Sequence, residues 1–195
     1  NTGISFDHFS NANTSEVNLG LNCLTGYGGI NYSIGTKSEK ITHEIESHER
    51  KNTISIFASV GGKHIRYLNS NYFLTSSLSL QVNKSFFRKI HFGIGADLFY
   101  DSSIKTSLIG QNENYKGLFL FQTGIHVSQT IVYNRFSLSI QEGVYLLLKE
   151  QVEKHTIYNR GIIQYQINDK VSVRLSMKSH LHILDYPEIG FGFKL

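Results

Sequence analysis

"VSVRLSMKSH", residues 171–180, is the stretch that decides the fold. Successive side chains of a strand point to opposite faces. Val171, Val173, Leu175 and Met177 therefore share one face, and Ser172, Arg174, Ser176, Lys178 and His180 share the other. "RFSLSIQEG" (135–143) repeats the pattern, with Phe136, Leu138 and Ile140 opposed to Ser137, Ser139, Gln141 and Gly143. In "HFGIGADLF" (91–99), Phe92, Ile94, Ala96 and Leu98 oppose Gly93, Gly95 and Asp97. One face is apolar, and the other is polar or glycine.

Alternation alone also fits a soluble sandwich or small barrel, so strand length has to separate the classes. Strand-like segments cover 3–10, 17–34, 53–67, 71–83, 89–101, 116–131, 134–149, 156–168, 170–182 and 187–195, and helical signals are weak throughout. Many segments reach ten residues or more, against about five or six in soluble proteins. About 9–11 tilted residues cross a bilayer. Short connections such as "VYNR" (132–135) and "QIND" (166–169) alternate with longer ones such as 102–115, another feature of membrane barrels. The terminal "EIGFGFKL" puts Ile189, Phe191, Phe193 and Leu195 on one side, an aggregation hazard in water but a lipid-facing strand in a membrane. The expected fold is all-β: one domain over 1–195, an antiparallel transmembrane β-barrel of about ten strands, alone or as part of a larger barrel.

Composition agrees with this class. Eleven Tyr and 13 Phe suffice for aromatic girdles, although Trp is absent. No apolar run approaches the roughly 18 residues of a spanning helix. Cys23 is the only cysteine, which excludes an internal disulfide and a thiolate zinc site. A signal peptide is absent or already removed. Net charge is +4, but the basic residues are scattered, which weakens any case for nucleic acid as a partner.

Two charged clusters read as non-catalytic. In "THEIESHER" (42–50), His43 and His48 stand at i and i+5, whereas the helical zinc motif needs i and i+4. This is a solvated loop, and no metal or cofactor is expected. Lys178, His180, Asp185 and Glu188, with Arg160, lie on or near the polar faces of the last three strands. Charges of both signs inside a narrow barrel neutralise one another, because a lone buried charge is costly.

The opening "FDHFSNANTSEVNLGLN" (6–22) carries the chemistry. His8 and Ser10 are two apart, so an extended chain puts an imidazole beside a hydroxyl, the minimum for general-base activation of an oxygen nucleophile. Neighbouring amides suit an oxyanion. This stretch resembles the signature of the outer-membrane lipid A 3-O-deacylases of the PagL type and the related acyloxyacyl hydrolase-like barrels: His-aromatic-Ser-Asn, a short loop, then Asn-x-Gly and an acidic residue or Asn. The matching residues are His8, Phe9, Ser10 and Asn11, then Asn18, Gly20 and Asn22. The tail 158–195 resembles the closing strands of longer members.

The resemblance implies a serine esterase that removes an ester-linked acyl chain from lipid A in the bacterial outer membrane. Lipopolysaccharide would be the substrate and membrane lipids the surroundings. His8 would be the general base, Ser10 the nucleophile and Asn22 the third member of the triad; Asn11 and Asn18 would support the oxyanion. Asn22 stands where well-known deacylases carry glutamate, and an amide cannot balance imidazolium charge as a carboxylate does. The alternative is therefore a non-catalytic structural or porin-like barrel with a degraded site. Regular alternation through Val17, Leu19 and Leu21 also sends Asn18 and Asn22 to the face opposite Phe6 and His8. With the C-terminus periplasmic, counting connections backward puts 183–186, 150–155, 102–115, 68–70 and 11–16 outside. His8 and Ser10 are then expected to face outward near the rim of 102–115.

Overall fold

The computed structural model describes residues 1–9, 21–32, 34–35, 51–64, 72–146, 156–180 and 183–195. They divide into two compact units, Asn1–Ser47 and His48–Leu195. In the first, β1 (Thr2–Phe9) pairs antiparallel with β2 (Leu21–Gly28). Ile4, Phe6 and Leu24 are exposed on one face. On the other, Ser5 Oγ donates to Asp7 Oδ2 at 2.7 Å.

The second unit is a closed antiparallel barrel of eight strands: β3 (Asn52–His64), β4 (Tyr72–Ser85), β5 (Ile90–Asp101), β6 (Phe121–Tyr133), β7 (Phe136–Leu146), β8 (Ile157–Gln166), β9 (Val171–His180) and β10 (Ile183–Lys194). Each pairs with its sequence neighbour, and β10 closes on β3 from Glu188 opposite Gly61 to Lys194 opposite Ser55. The expected ten strands are thus all present, but eight rather than ten form the barrel. The β10–β3 ladder uses up the last two sheet edges, so closure occurs at eight.

The barrel is inside-out relative to a soluble protein. Ser79, Gln81, Asp97, His126, Gln141, Arg160, Arg174 and Lys178 are buried, while Leu78, Ile94, Val127, Ile140, Ile163, Leu175 and Phe191 are 49–65 % exposed. Leaving one such side chain in water forgoes about 1.5–3 kcal/mol, and the outward band contains many. Apolar outside and polar within is the pattern of a transmembrane β-barrel. No described helix is long and apolar enough to cross a membrane. Inward glycines make room for large polar residues: a Cβ on Gly143 would lie 2.2 Å from the Tyr158 ring, and one on Gly95 2.5 Å from His126.

Two local features depart from the sequence expectation. Residues 183–186 are strand rather than link, because the β9–β10 register shifts between Leu184 and Tyr186. This bulge places Asp185 out of step while Tyr186 and Glu188 remain buried. Pro187, which has no N–H, lies just beyond the last β3 pairing, where no ladder bond is lost. The long connection after β5 contains α1 (Ser103–Gly110), which buries Ile104 and Leu108. Its first turn is held by Asp101 Oδ1, which accepts from Ser103 N at 2.8 Å and Ser103 Oγ at 2.5 Å. The short connections 86–89, 134–135 and 167–170 share one rim with the C-terminus, and the α1 connection lies at the other.

Candidate active site

The β1–β2 ladder runs from Thr2 opposite Gly28 to Phe9 opposite Leu21, and within it His8 stands opposite Asn22. Further along the same ladder Phe6 stands opposite Leu24. Ser10, Asn11 and Asn18 lie outside the described residues, as does the 42–50 cluster.

The barrel lumen contains a histidine–carboxylate pair. His126 Nδ1 meets Asp97 Oδ2 at 2.6 Å, with both side chains fully buried. Asp97 also accepts from Tyr158 Oη at 2.5 Å and from Ser79 Oγ and Arg160 Nη2. This is the orienting half of a catalytic triad without its nucleophile. The far nitrogen of His126 faces the Gln141 amide nitrogen at 3.2 Å, not a hydroxyl. Ser79 bonds the carboxylate rather than the imidazole, and neither residue is open to a substrate. The Asp97 cluster ties β4, β5, β6 and β8 together.

A second lumen cluster links the seam strands. Lys63 Nζ lies 2.7 Å from Asp185 Oδ1 and 3.0 Å from Asp101 Oδ2. Lys178 Nζ is 3.4 Å from Asp185 Oδ2, and His180 Nε2 is 2.8 Å from Tyr145 Oη. Arg160 Nη1 is 3.8 Å from Glu188 Oε2. The expected charge-neutralising role of Arg160, Lys178, His180, Asp185 and Glu188 is what the structure shows. The sequence reading missed Lys63 and Asp97, which pair with Asp185 and Arg160 across strands far apart in sequence, and Asp101 and His126, which pair with Lys63 and Asp97 in turn.

On the outer surface, strands β4 to β8 carry an apolar groove of about 720 Å³, lined by Leu80, Val82, Ile94, Ile125, Val127 and Ile157. Glu142 borders it. This carboxylate is exposed on the outward face between Ile140 and Val144, opposite Val127 and Asn159. Its signal was present in the sequence as a charged residue at an apolar position of the alternation.

Among solved structures, one described as "De novo design of transmembrane beta-barrels" is similar, at 12 % identity over 73 % of this chain and 95 % of that one, with a TM-score of 0.41. No curated protein matches the chain. The family profile described as acyloxyacyl hydrolase, C-terminal domain, matches residues 52–195, from the first residue of β3 through the C-terminus. The match takes in every barrel strand and most of the sequence, and the chain belongs to this family.

Proposed function

We propose that the protein is a serine esterase that hydrolyses an ester-linked acyl chain of lipid A, working as one unit over residues 1–195 in a bacterial outer membrane. The observation that carries this reading is the register of His8 opposite Asn22 in a chain of acyloxyacyl hydrolase family membership. In the proposed mechanism His8 takes the proton of Ser10 as the hydroxyl attacks the ester carbonyl. Asn22 orients the imidazole, and Asn11 and Asn18 donate to the developing oxyanion. An amide in the third position holds the ring without balancing its charge. In a serine protease the acid-to-amide change costs about 10⁴ in rate, so slow turnover is expected. The apolar groove on the barrel is surface along which an acyl chain can lie.

A serine-directed fluorophosphonate tests the nucleophile. The protein folded in lipid vesicles is expected to carry the label on the Ser10 peptide, with labelling lost in His8→Ala. Label on another serine, or none at any reagent concentration, contradicts the assignment. A non-catalytic structural barrel is the second reading, favoured by Asn22 in the carboxylate's position. The buried Arg160–Asp97 cluster argues against a porin, because it fills the lumen where a pore would run.

A further inference from the structure

At the short-turn rim the lumen widens into a cavity of about 350 Å³. Gln81 and Gln141 line its deep end, joined by Gln141 Nε2 donating to Gln81 Oε1 at 2.8 Å. Arg174 lines the wall and is only 1 % exposed. Its guanidinium lies over the Phe57 ring at 4.6 Å, which fixes its plane. Arg160, the neighbouring lumen arginine, has Asp97 and Glu188 as ion partners. Arg174 has no such pairing among the described residues, and its Nε and Nη2 meet no hydrogen-bond acceptor there. A buried guanidinium without a partner is costly to keep. The other charged residues lining the cavity are Arg135, Lys170 and Lys194 against one carboxylate, Asp169, with His91 also present. Four cations thus surround a space otherwise walled mainly by amides and hydroxyls.

We propose that this vestibule binds a small oxyanion of the phosphate or phosphate-monoester class, with Arg174 as the deep ligand and Lys170 and Lys194 at the mouth. The planar guanidinium matches two oxygens of a phosphate group at once. The volume exceeds that of a bare ion and leaves room for a small ester substituent. The polar lining residues face the lumen and the rim, while Phe136 and Phe193 at the edge belong to the outward face, so the ligand assigned here enters from the aqueous compartment rather than as a lipid headgroup. The site is separate from His8 and Ser10, so it stands or falls independently of the esterase reading.

Calorimetric titration of inorganic phosphate into the detergent-folded protein, with chloride at matched ionic strength as control, tests the site. Saturable phosphate binding is expected, weakened about tenfold or more in Arg174→Gln, the loss of one bidentate charged contact. Lys170→Gln combined with Lys194→Gln is expected to weaken it several-fold; both side chains are exposed, so this variant folds even if Arg174→Gln does not. Heat released by a phosphate-bearing short-chain lipid but not by phosphate itself would overturn the proposal. So would the absence of saturable binding in the wild type, or unchanged affinity in the folded variants.

Discussion

Lys63 of β3 and Asp185 of β10 meet at 2.7 Å across the seam that closes the barrel. Asp185 reaches Lys63 from the β-bulge, and the same lysine holds Asp101, which in turn anchors the first turn of α1. Lys63→Ala leaves Asp101 without its cation and Asp185 to the more distant Lys178. It is expected to lower unfolding free energy by about 2–3 kcal/mol, toward the lower end for broken buried pairs because the lysine is partly exposed. Urea titration of the vesicle-folded barrel measures this, and an unchanged midpoint would show that the seam does not depend on the pair.

Gly143 and Gly161 make a matched contrast. A Cβ at Gly143 would lie 2.2 Å from the fully buried Tyr158 ring, whereas nothing stands within 4 Å of one at Gly161. Gly143→Ala is expected to cost about 1–3 kcal/mol by overpacking and Gly161→Ala less than about 0.5 kcal/mol, read by the same titration. Equal effects would place Tyr158 elsewhere.

The ten strands were legible because the pattern that builds a membrane barrel is local: each strand states its own inward and outward faces, as 171–180 does. Closure at eight was not, because it depends on β10 finding β3 more than a hundred residues away. The bulge at Asp185 and the helix at 103–110 were missed for a related reason. The span 183–186 reads as a link between two strand segments, and "SIKTSLIG" is two turns long with a single i, i+4 apolar pair, Ile104 and Leu108, too short to announce a helix. Within the candidate site, the register that sets His8 opposite Asn22 was not legible, because it depends on how β1 and β2 pair across the connection between them.

Arg160 holds the centre of the lumen, with Asp97 as its partner and the Phe99 ring 5.0 Å from its guanidinium carbon. Arg160→Met removes the guanidinium facing the buried Asp97 carboxylate, which keeps Tyr158, Ser79 and His126 as partners, and is expected to cost about 3 kcal/mol. The double change Arg160→Met with Asp97→Asn is expected to recover part of that loss. A double variant as unstable as the two single losses added together would mean that the pair is not coupled.

Glu142 interrupts the apolar outer band. Removing a carboxylate from a lipid-facing position relieves a transfer cost, so Glu142→Leu is expected to stabilise the barrel in vesicles by about 1 kcal/mol. A loss of stability instead would show that the carboxylate has a favourable partner on that surface.

Mass spectrometry of lipid A incubated with the vesicle-folded protein, with Ser10→Ala and with Asn22→Glu tests the esterase assignment most directly. The expected result is a species lighter by one ester-linked acyl chain, with the matching free fatty acid, formed by the wild type, absent with Ser10→Ala and formed faster with Asn22→Glu. Identical lipid A spectra for the wild type and Ser10→Ala would contradict it and leave the barrel a structural one.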